Sequence, residues 1–331
     1  MSDEVETMAY AKEGGVPWHG FGNPVSNKMS PESMMKAGGC DWTVSMRDVF
    51  YKKSGVYQKV LDKKLLVRDT DEMPLTMAGL HWKPVQNKVI VEFFKKFVAE
   101  GHMTMETLGS LCSGKYIWAL AKVNSNFSLG KDDEVRGYLL LMNPHVFGKS
   151  MIIQLTSIRV VCWNTLNYAL GHGLKGKEGA FRMPHSMEFT DEVRKQAEVA
   201  LGLAKEQMGE FKAVATLLSK KRITEKQTED YFCDVLQFDP KKAKKKKNEE
   251  IKVPLMLPKF QQALNVAPGH DLSSSRGTLW GALNAVTYVV DHKIGRDREA
   301  SLRTAWFGQK AALKRRAVDL AVDLAKKAKA A

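Results

Sequence analysis

Two hydrophobic periods divide this chain, and together they decide what it can fold into. From Thr190 onward, Val193, Ala197, Ala200, Ala204, Met208, Phe211, Ala215 and Leu218 recur at three- and four-residue steps, the spacing that lines one face of an α-helix. At ~3.6 residues per turn such a stripe needs about eight turns. Before Pro184 the step is shorter. Trp42, Val44 and Met46 alternate with polar residues, as a half-buried strand does. Leu65 to Arg68, Thr76 to Leu80, Ile117 to Val123, Tyr138 to Met142 and Met151 to Leu155 read as further strands, with turn-rich segments between them. Asn124 to Asp133 and Asn143 to Gly148 read as loops.

Helices interrupt the strands of the first half. Ile90, Phe93, Phe94 and Phe97 stand at helical spacing within Asn87 to Val98, with Gly101 as the stop, and Arg159 to Leu170 is expected to turn helical. Gly171, Gly173, Gly176 and Gly179 then form a flexible connection. Beyond the long helix, Thr224 and Gln227 have capping-box spacing, Leu279 to Val290 marks another helix, and Leu313 to Leu324 a last one. At 331 residues the chain is long enough for two cores. The expectation is an α+β protein: a mainly antiparallel sheet domain with helices over 1–177, and a helical domain over 178–331 with a lysine-rich loop at 241–247.

Charge narrows the function. Lys and Arg number 51 against 37 Asp and Glu, a net charge of +14 that attracts polyanions. The segment 241–247 holds six lysines in seven residues and repels itself into a solvated loop. The four cysteines, Cys40, Cys112, Cys162 and Cys233, form no CxxC pair, which argues against a zinc ribbon, and they read as buried, reduced thiols. Met1 to Tyr10 is acidic and polar, and no apolar run reaches the ~20 residues of a membrane span. The expected location is the cytoplasm, with no membrane partner.

Catalytic signatures fail on context. Gly109-Ser110-Leu111-Cys112-Ser113-Gly114-Lys115 has the glycine and lysine spacing of a P-loop, but Tyr116 stands where a Ser or Thr should meet magnesium, and the segment leads into a strand. It reads as a turn. The eight histidines are scattered without a ligand pair on one helical face and read mostly as surface or loop residues. No metal site, cofactor or catalytic residue is assigned. Asp132, Asp133 and Glu134 cluster in a turn and read as solvated; they are the starting point for a rival reading as a metal-dependent nuclease.

Single-stranded nucleic acid is held by bases stacked on aromatic rings and by cations on phosphates, and two stretches interleave such residues. Phe50, Tyr51, Lys52, Lys53, Tyr57 and Lys59 fall on a hairpin. Lys293, Arg296, Arg298, Arg303, Lys310, Lys314, Arg315 and Arg316 surround Trp306 and Phe307. The expected phosphate contacts are Lys52, Lys53, Lys59, Arg159, Arg303, Lys314, Arg315 and Arg316, with Tyr51, Tyr57 or Trp306 stacking. The bland reading makes each stretch a solvated face over core aromatics.

Six strings occur in order: Pro17-Trp18-His19-Gly20, Asp41-Trp42-Thr43-Val44, Trp82-Lys83-Pro84-Val85-Gln86-Asn87, Trp118-Ala119-Leu120-Ala121-Lys122, Arg159-Val160-Val161-Cys162-Trp163-Asn164-Thr165-Leu166 and Ala305-Trp306-Phe307-Gly308. Together they resemble the phage- and plasmid-borne proteins grouped as domain-of-unknown-function family 932. The resemblance implies a mobile genetic element in a bacterial host cell and no particular activity. The architecture is also loosely similar to the sheet-plus-helix core of single-strand annealing proteins, an analogy of fold rather than of function. The leading expectation is a nucleic-acid-binding protein that favours single-stranded DNA, needs no cofactor and works as a homo-oligomer in recombination or replication. A structural or host-interaction protein that meets an acidic protein partner is the alternative.

Overall fold

The computed structural model describes residues 5–12, 22–159, 164–166, 180–187, 190–240, 253–294 and 309–327. The strands are β1 (Val5–Ala11), β2 (Asn23–Val25), β3 (Val44–Lys53), β4 (Val56–Arg68), β5 (Met73–Gly79), β6 (Met103–Leu111), β7 (Tyr116–Ser128), β8 (Glu134–Pro144), β9 (Ser150–Arg159), β10 (Asn164–Leu166) and β11 (Ala180–Pro184). The helices are α1 (Pro31–Ala37), α2 (Lys88–Ala99), α3 (Asp191–Lys220), α4 (Glu225–Val235), α5 (Met256–Val266), α6 (Leu279–His292) and α7 (Gln309–Lys327). Sheets dominate the N-terminal half and helices the C-terminal half, so the fold is α+β.

Two compact units interleave along the chain. The first comprises residues 1–124, 138–155 and 171–203; the second comprises 125–137, 156–170 and 204–331. The larger sheet runs β10-β9-β8-β7-β6-β1-β2, with β11 also paired to β9. β1 lies antiparallel to β6 and parallel to β2. A second sheet has the order β3-β4-β5, with antiparallel pairs throughout.

In the first unit α1 and α2 cover the sheet at β6. α2 turns Ile90, Val91, Phe93 and Phe94 inward, as their helical spacing requires. Gly109 in β6 is needed for close approach: a Cβ there would lie 2.4 Å from Thr7 O and 2.5 Å from Trp118 Cη2. The P-loop-like string is a turn. Gly109 to Leu111 end β6, Tyr116 opens β7, and Cys112, Ser113 and Gly114 all have positive φ between them. Cys40 and Cys233 are buried, but Cys112 on this turn is half-exposed, so the expectation of buried thiols fails there. Burial pushes the Cys40 thiol up to about 12.

In the second unit α6 is apolar nearly all round, with Leu279, Trp280, Leu283, Val286 and Val290 buried, the pattern of a central helix. α4, α5 and α7 pack against it. Trp280 meets Phe211 of α3 at 6.2 Å, and Phe211 meets Phe127 at 5.7 Å. The capping box forms: Thr224 Oγ1 accepts from Gln227 N at 3.2 Å, and Gln227 Oε1 accepts from Thr224 N at 2.9 Å.

Two segments differ from their sequence reading: β7 runs on to Ser128, through part of the expected loop Asn124 to Asp133, and the segment after β9 is not a helix where it is described. The expected helix over Arg159 to Leu170 is, where described, a strand: Asn164, Thr165 and Leu166 pair with Arg159, Ile158 and Ser157 of β9. The β-branched Ile158 and Thr165 favour a pleated backbone, and the ladder satisfies the edge of β9. The glycine-rich connection and the lysine block 241–247 lie outside the described residues.

Candidate nucleic-acid interface

β3 and β4 meet at the two-residue turn Ser54-Gly55, where both residues have positive φ (50° and 84°). That geometry matches the twist of a tight hairpin. The pairs Phe50 with Lys59, Tyr51 with Gln58, Lys52 with Tyr57 and Lys53 with Val56 follow. Cross-strand partners share a face and successive pairs alternate. One face therefore carries Phe50, Lys52, Tyr57 and Lys59, and the other Tyr51, Lys53, Val56 and Gln58.

Both faces meet solvent. Phe50 is 54% exposed, Tyr51 49% and Tyr57 70%, so the rings of this arm are not core residues, contrary to the bland reading. Lys52 Nζ lies 5.9 Å from the centre of the Tyr57 ring, and the Tyr51 hydroxyl donates to Gln58 Oε1 at 2.7 Å. Lys59 pairs with Asp48 at 2.7 Å, and Lys64 meets the same carboxylate. Hydrogen bonds from these two ammonium groups hold the Asp48 carboxyl below its usual range. Lys52 and Lys53 have no carboxylate partner among the described residues. From Arg47 to Lys64 the arm carries six cations against Asp48 and Asp62.

The other expected contacts fall on other elements or outside the described residues. Arg159 ends β9, and Arg303 and Trp306 lie outside the described residues. Lys314, Arg315 and Arg316 are consecutive on α7, in the second unit. Neighbours on a helix point about 100° apart. Lys314 is buried, its ammonium 2.7 Å from Asp291 Oδ1, so it cannot present its charge to a phosphate. Arg316 Nη1 donates to Val235 O at 3.0 Å, and Arg315 is half-buried.

Two members of the acidic cluster are tied into the fold, while Asp132 is exposed. Asp133 is 1% exposed, and its Oδ2 accepts from Ser274 Oγ at 2.5 Å and Trp280 Nε1 at 3.0 Å. Glu134 receives two bonds from Arg136, at 3.0 and 2.9 Å. Among the described residues no three His, Cys, Asp or Glu side chains are grouped to hold a metal ion.

Sequence reasoning missed a polar cluster inside the first unit. Asn87 Nδ2 donates to the carbonyls of Cys40 and Trp42 at 3.1 and 3.2 Å, which turns its Oδ1 toward His145 Nε2, 2.8 Å away. Asn143 Nδ2 donates to Val85 O at 2.9 Å. His185 Nδ1 lies 3.2 Å from Lys83 O. Side chains from two later stretches, Asn143 with His145 and then His185, thus contact alternate residues of the segment Lys83 to Asn87. Trp42 packs on His145 with ring centres 5.4 Å apart, and Trp82 on His185 at 4.6 Å. His145 and His185 are 0% and 2% exposed, not surface residues. Burial, with the neighbouring His185, presses His145 down to about 3, and burial also lowers His185. Both rings are neutral near pH 7.

Residues 74–324 match the family described as Domain of unknown function (DUF932), well over half of the chain. The chain belongs to the DUF932 family. No curated protein and no solved structure matches it.

Within this DUF932 chain the arm precedes the matched residues, whereas Trp82, Asn87, Asn143, His145 and His185 lie inside them. A signal for the histidines was present in the DUF932 sequence. Both end an X-Pro-His string, Asn143-Pro144-His145 and Met183-Pro184-His185, and in each the proline closes a strand.

Proposed function

We propose that this chain binds single-stranded nucleic acid, with single-stranded DNA favoured, through the β3–β4 arm. The observation that carries the reading is the exposure of Tyr51, Tyr57 and Phe50 on a hairpin whose Lys52 and Lys53 have no carboxylate partner among the described residues. Rings held open to solvent cost hydrophobic free energy that a stacked base returns, and stacking is insensitive to base identity because every base has a π-face. The adjoining ammonium groups neutralise phosphates. No cofactor is required. The family resemblance and the basic composition fit a role in the DNA metabolism of a phage or plasmid, in the cytoplasm of a bacterial host, with several copies aligned along one strand.

Fluorescence anisotropy with labelled oligo-dT, oligo-rU and a duplex of equal length tests the reading. The expected result is tighter binding to oligo-dT than to duplex, with log K falling linearly against log salt at about −0.7 per neutralised phosphate. Absence of binding to every oligonucleotide, or affinity indifferent to salt, would refute it. A second reading draws on Val56 and Leu61, 63% and 78% exposed on the same arm, apolar side chains that suit an acidic protein partner with its own apolar anchor. Competition separates the two: single-stranded DNA would not displace a partner from a site that recognises only protein.

A further inference from the structure

β5 pairs with β4 only from Lys63 to Arg68, so the arm beyond that point is a ladder of two strands. Every residue from Phe50 to Lys59 is exposed, which leaves both faces of the ladder in water. A two-stranded hairpin in that condition is marginally stable. The arm therefore gains from cover on both sides, and the side chains of each face say what kind of cover fits.

Cross-strand pairing sorts those side chains. On one face Tyr57 stands opposite Lys52, whose ammonium lies 5.9 Å from the ring centre, and Phe50 precedes Lys52 by two residues on β3. On the other face Tyr51 precedes Lys53 by two residues, and its hydroxyl is held across the ladder by Gln58. Each face thus sets an exposed ring beside an ammonium group that has no carboxylate partner among the described residues. A ring for a base and a cation for a phosphate are the two contacts that hold a single strand. The arm has both contacts twice. A second copy of the arm suits neither face, because six cations against Asp48 and Asp62 from Arg47 to Lys64 would meet their like across the contact.

We propose that the arm holds two single strands of nucleic acid, one on each face, and so bridges them. The proposal rests on the single-strand reading of the arm and adds to it a stoichiometry and an activity. Four residues at ~3.3 Å each make a face about 13 Å long, room for a few bases. A layer packed on a sheet lies ~10 Å from it, so the two strands stand about 20 Å apart. That exceeds the ~8 Å screening length at physiological salt, and the strands do not drive each other off the arm. Two strands tethered to one arm also meet at an effective concentration far above that in solution.

The test titrates the full chain with short oligo-dT, part of it carrying a donor dye and part an acceptor. Expected are two strands per chain at saturation and energy transfer between them. Phe50→Ala with Tyr57→Ala should weaken one of the two binding steps about tenfold or more, and Tyr51→Ala with Lys53→Ala the other. Either pair of changes should abolish the transfer at oligonucleotide concentrations that fill only the remaining face. All four side chains are exposed, so the unfolding midpoints should match the wild type, and the wild-type stoichiometry decides even where a variant does not fold. Saturation at one strand per chain would overturn the bridge and leave single-strand binding in place, whereas no binding at all would remove the reading beneath it as well. Transfer that persists in both paired variants would place the two strands elsewhere or on separate copies, and a dimer lost with Tyr51 and Lys53 would make that face a contact between copies. Either result overturns the proposal.

Discussion

Lys314 Nζ lies 2.7 Å from Asp291 Oδ1, with side chains only 2% and 7% exposed, and so joins α7 to α6 out of reach of water. Desolvation lowers the Lys314 ammonium from its usual range, opposed by the Asp291 carboxylate. Removal of one member of a buried pair strands the other charge. Asp291→Ala should therefore destabilise the chain by about 3–5 kcal/mol, while the double change Asp291→Leu with Lys314→Met should cost far less. Urea unfolding measures both. A single variant as stable as the wild type would mean that water reaches the remaining ammonium.

Gly109 gives a second stability contrast. A Cβ would meet Thr7 O, Trp118 Cη2 and Met8 Cβ at 2.4, 2.5 and 2.6 Å, whereas at Gly79 nothing lies within 4 Å. Gly109→Ala should cost about 1–3 kcal/mol or more through overpacking. Gly79→Ala should stay within about 0.5 kcal/mol of the wild type. Equal thermal midpoints for the two variants would contradict the close approach of β1 to β6.

Periodic segments were the legible part of this fold. α2 and α3 lie where Phe93, Phe94, Met208 and Phe211 place an apolar face, because burial of one face alone is enough to define a helix; α7 also forms where expected, but its buried face runs through Ala317, Val318 and Ala321 rather than Leu320 and Leu324. α5 was not legible: Pro258 interrupts the sequence signal, and the helix has no side-chain cap. Its existence rests on packing against α6. Arg159 to Leu170 misled because its strand depends on a partner, β9, that local pattern does not name. In the candidate interface, the hairpin was readable since its rings and lysines are neighbours in sequence. Lys314 to Arg316 looked like one patch, but a helix fans consecutive residues over its circumference. Asn87, His145 and His185 are brought together by long-range sheet topology, which spacing along the chain does not encode.

Acid should weaken the fold through His145. Its folded value is pressed to about 3, against ~6.5 for an unfolded histidine. Between those values the unfolded chain binds a proton that the folded chain does not, so stability rises with pH across the window and is lost as pH falls below about 6.5. The slope approaches 1.4 kcal/mol per pH unit for one such group, and His185, also lowered, adds in the same direction. Asp48, Asp69 and Asp71, held below 3.8 by their hydrogen bonds, lose their contributions only at lower pH. Urea midpoints at pH 7, 5.5 and 4.5 isolate the histidines. A midpoint constant over that range would show that the folded chain protonates His145 freely.

The arm yields a contrast between rings and charges. Tyr57 is 70% exposed, so Tyr57→Ala should leave the unfolding midpoint nearly unchanged. A stacked base lost with the ring should weaken oligo-dT binding by about 1–3 kcal/mol, roughly five- to 150-fold, and Tyr57→Phe should restore it because the π-face returns. Lys52→Ala with Lys53→Ala should act differently, reducing the slope of log K against log salt by about 1.4 if each ammonium neutralises one phosphate. The double change Asp291→Leu with Lys314→Met, which removes the buried pair whole, should leave that slope as it was. If Tyr57→Ala and the lysine pair both bind oligo-dT like the wild type while Arg315→Ala or Arg316→Ala does not, the nucleic-acid surface lies on α7 rather than on the β3–β4 arm.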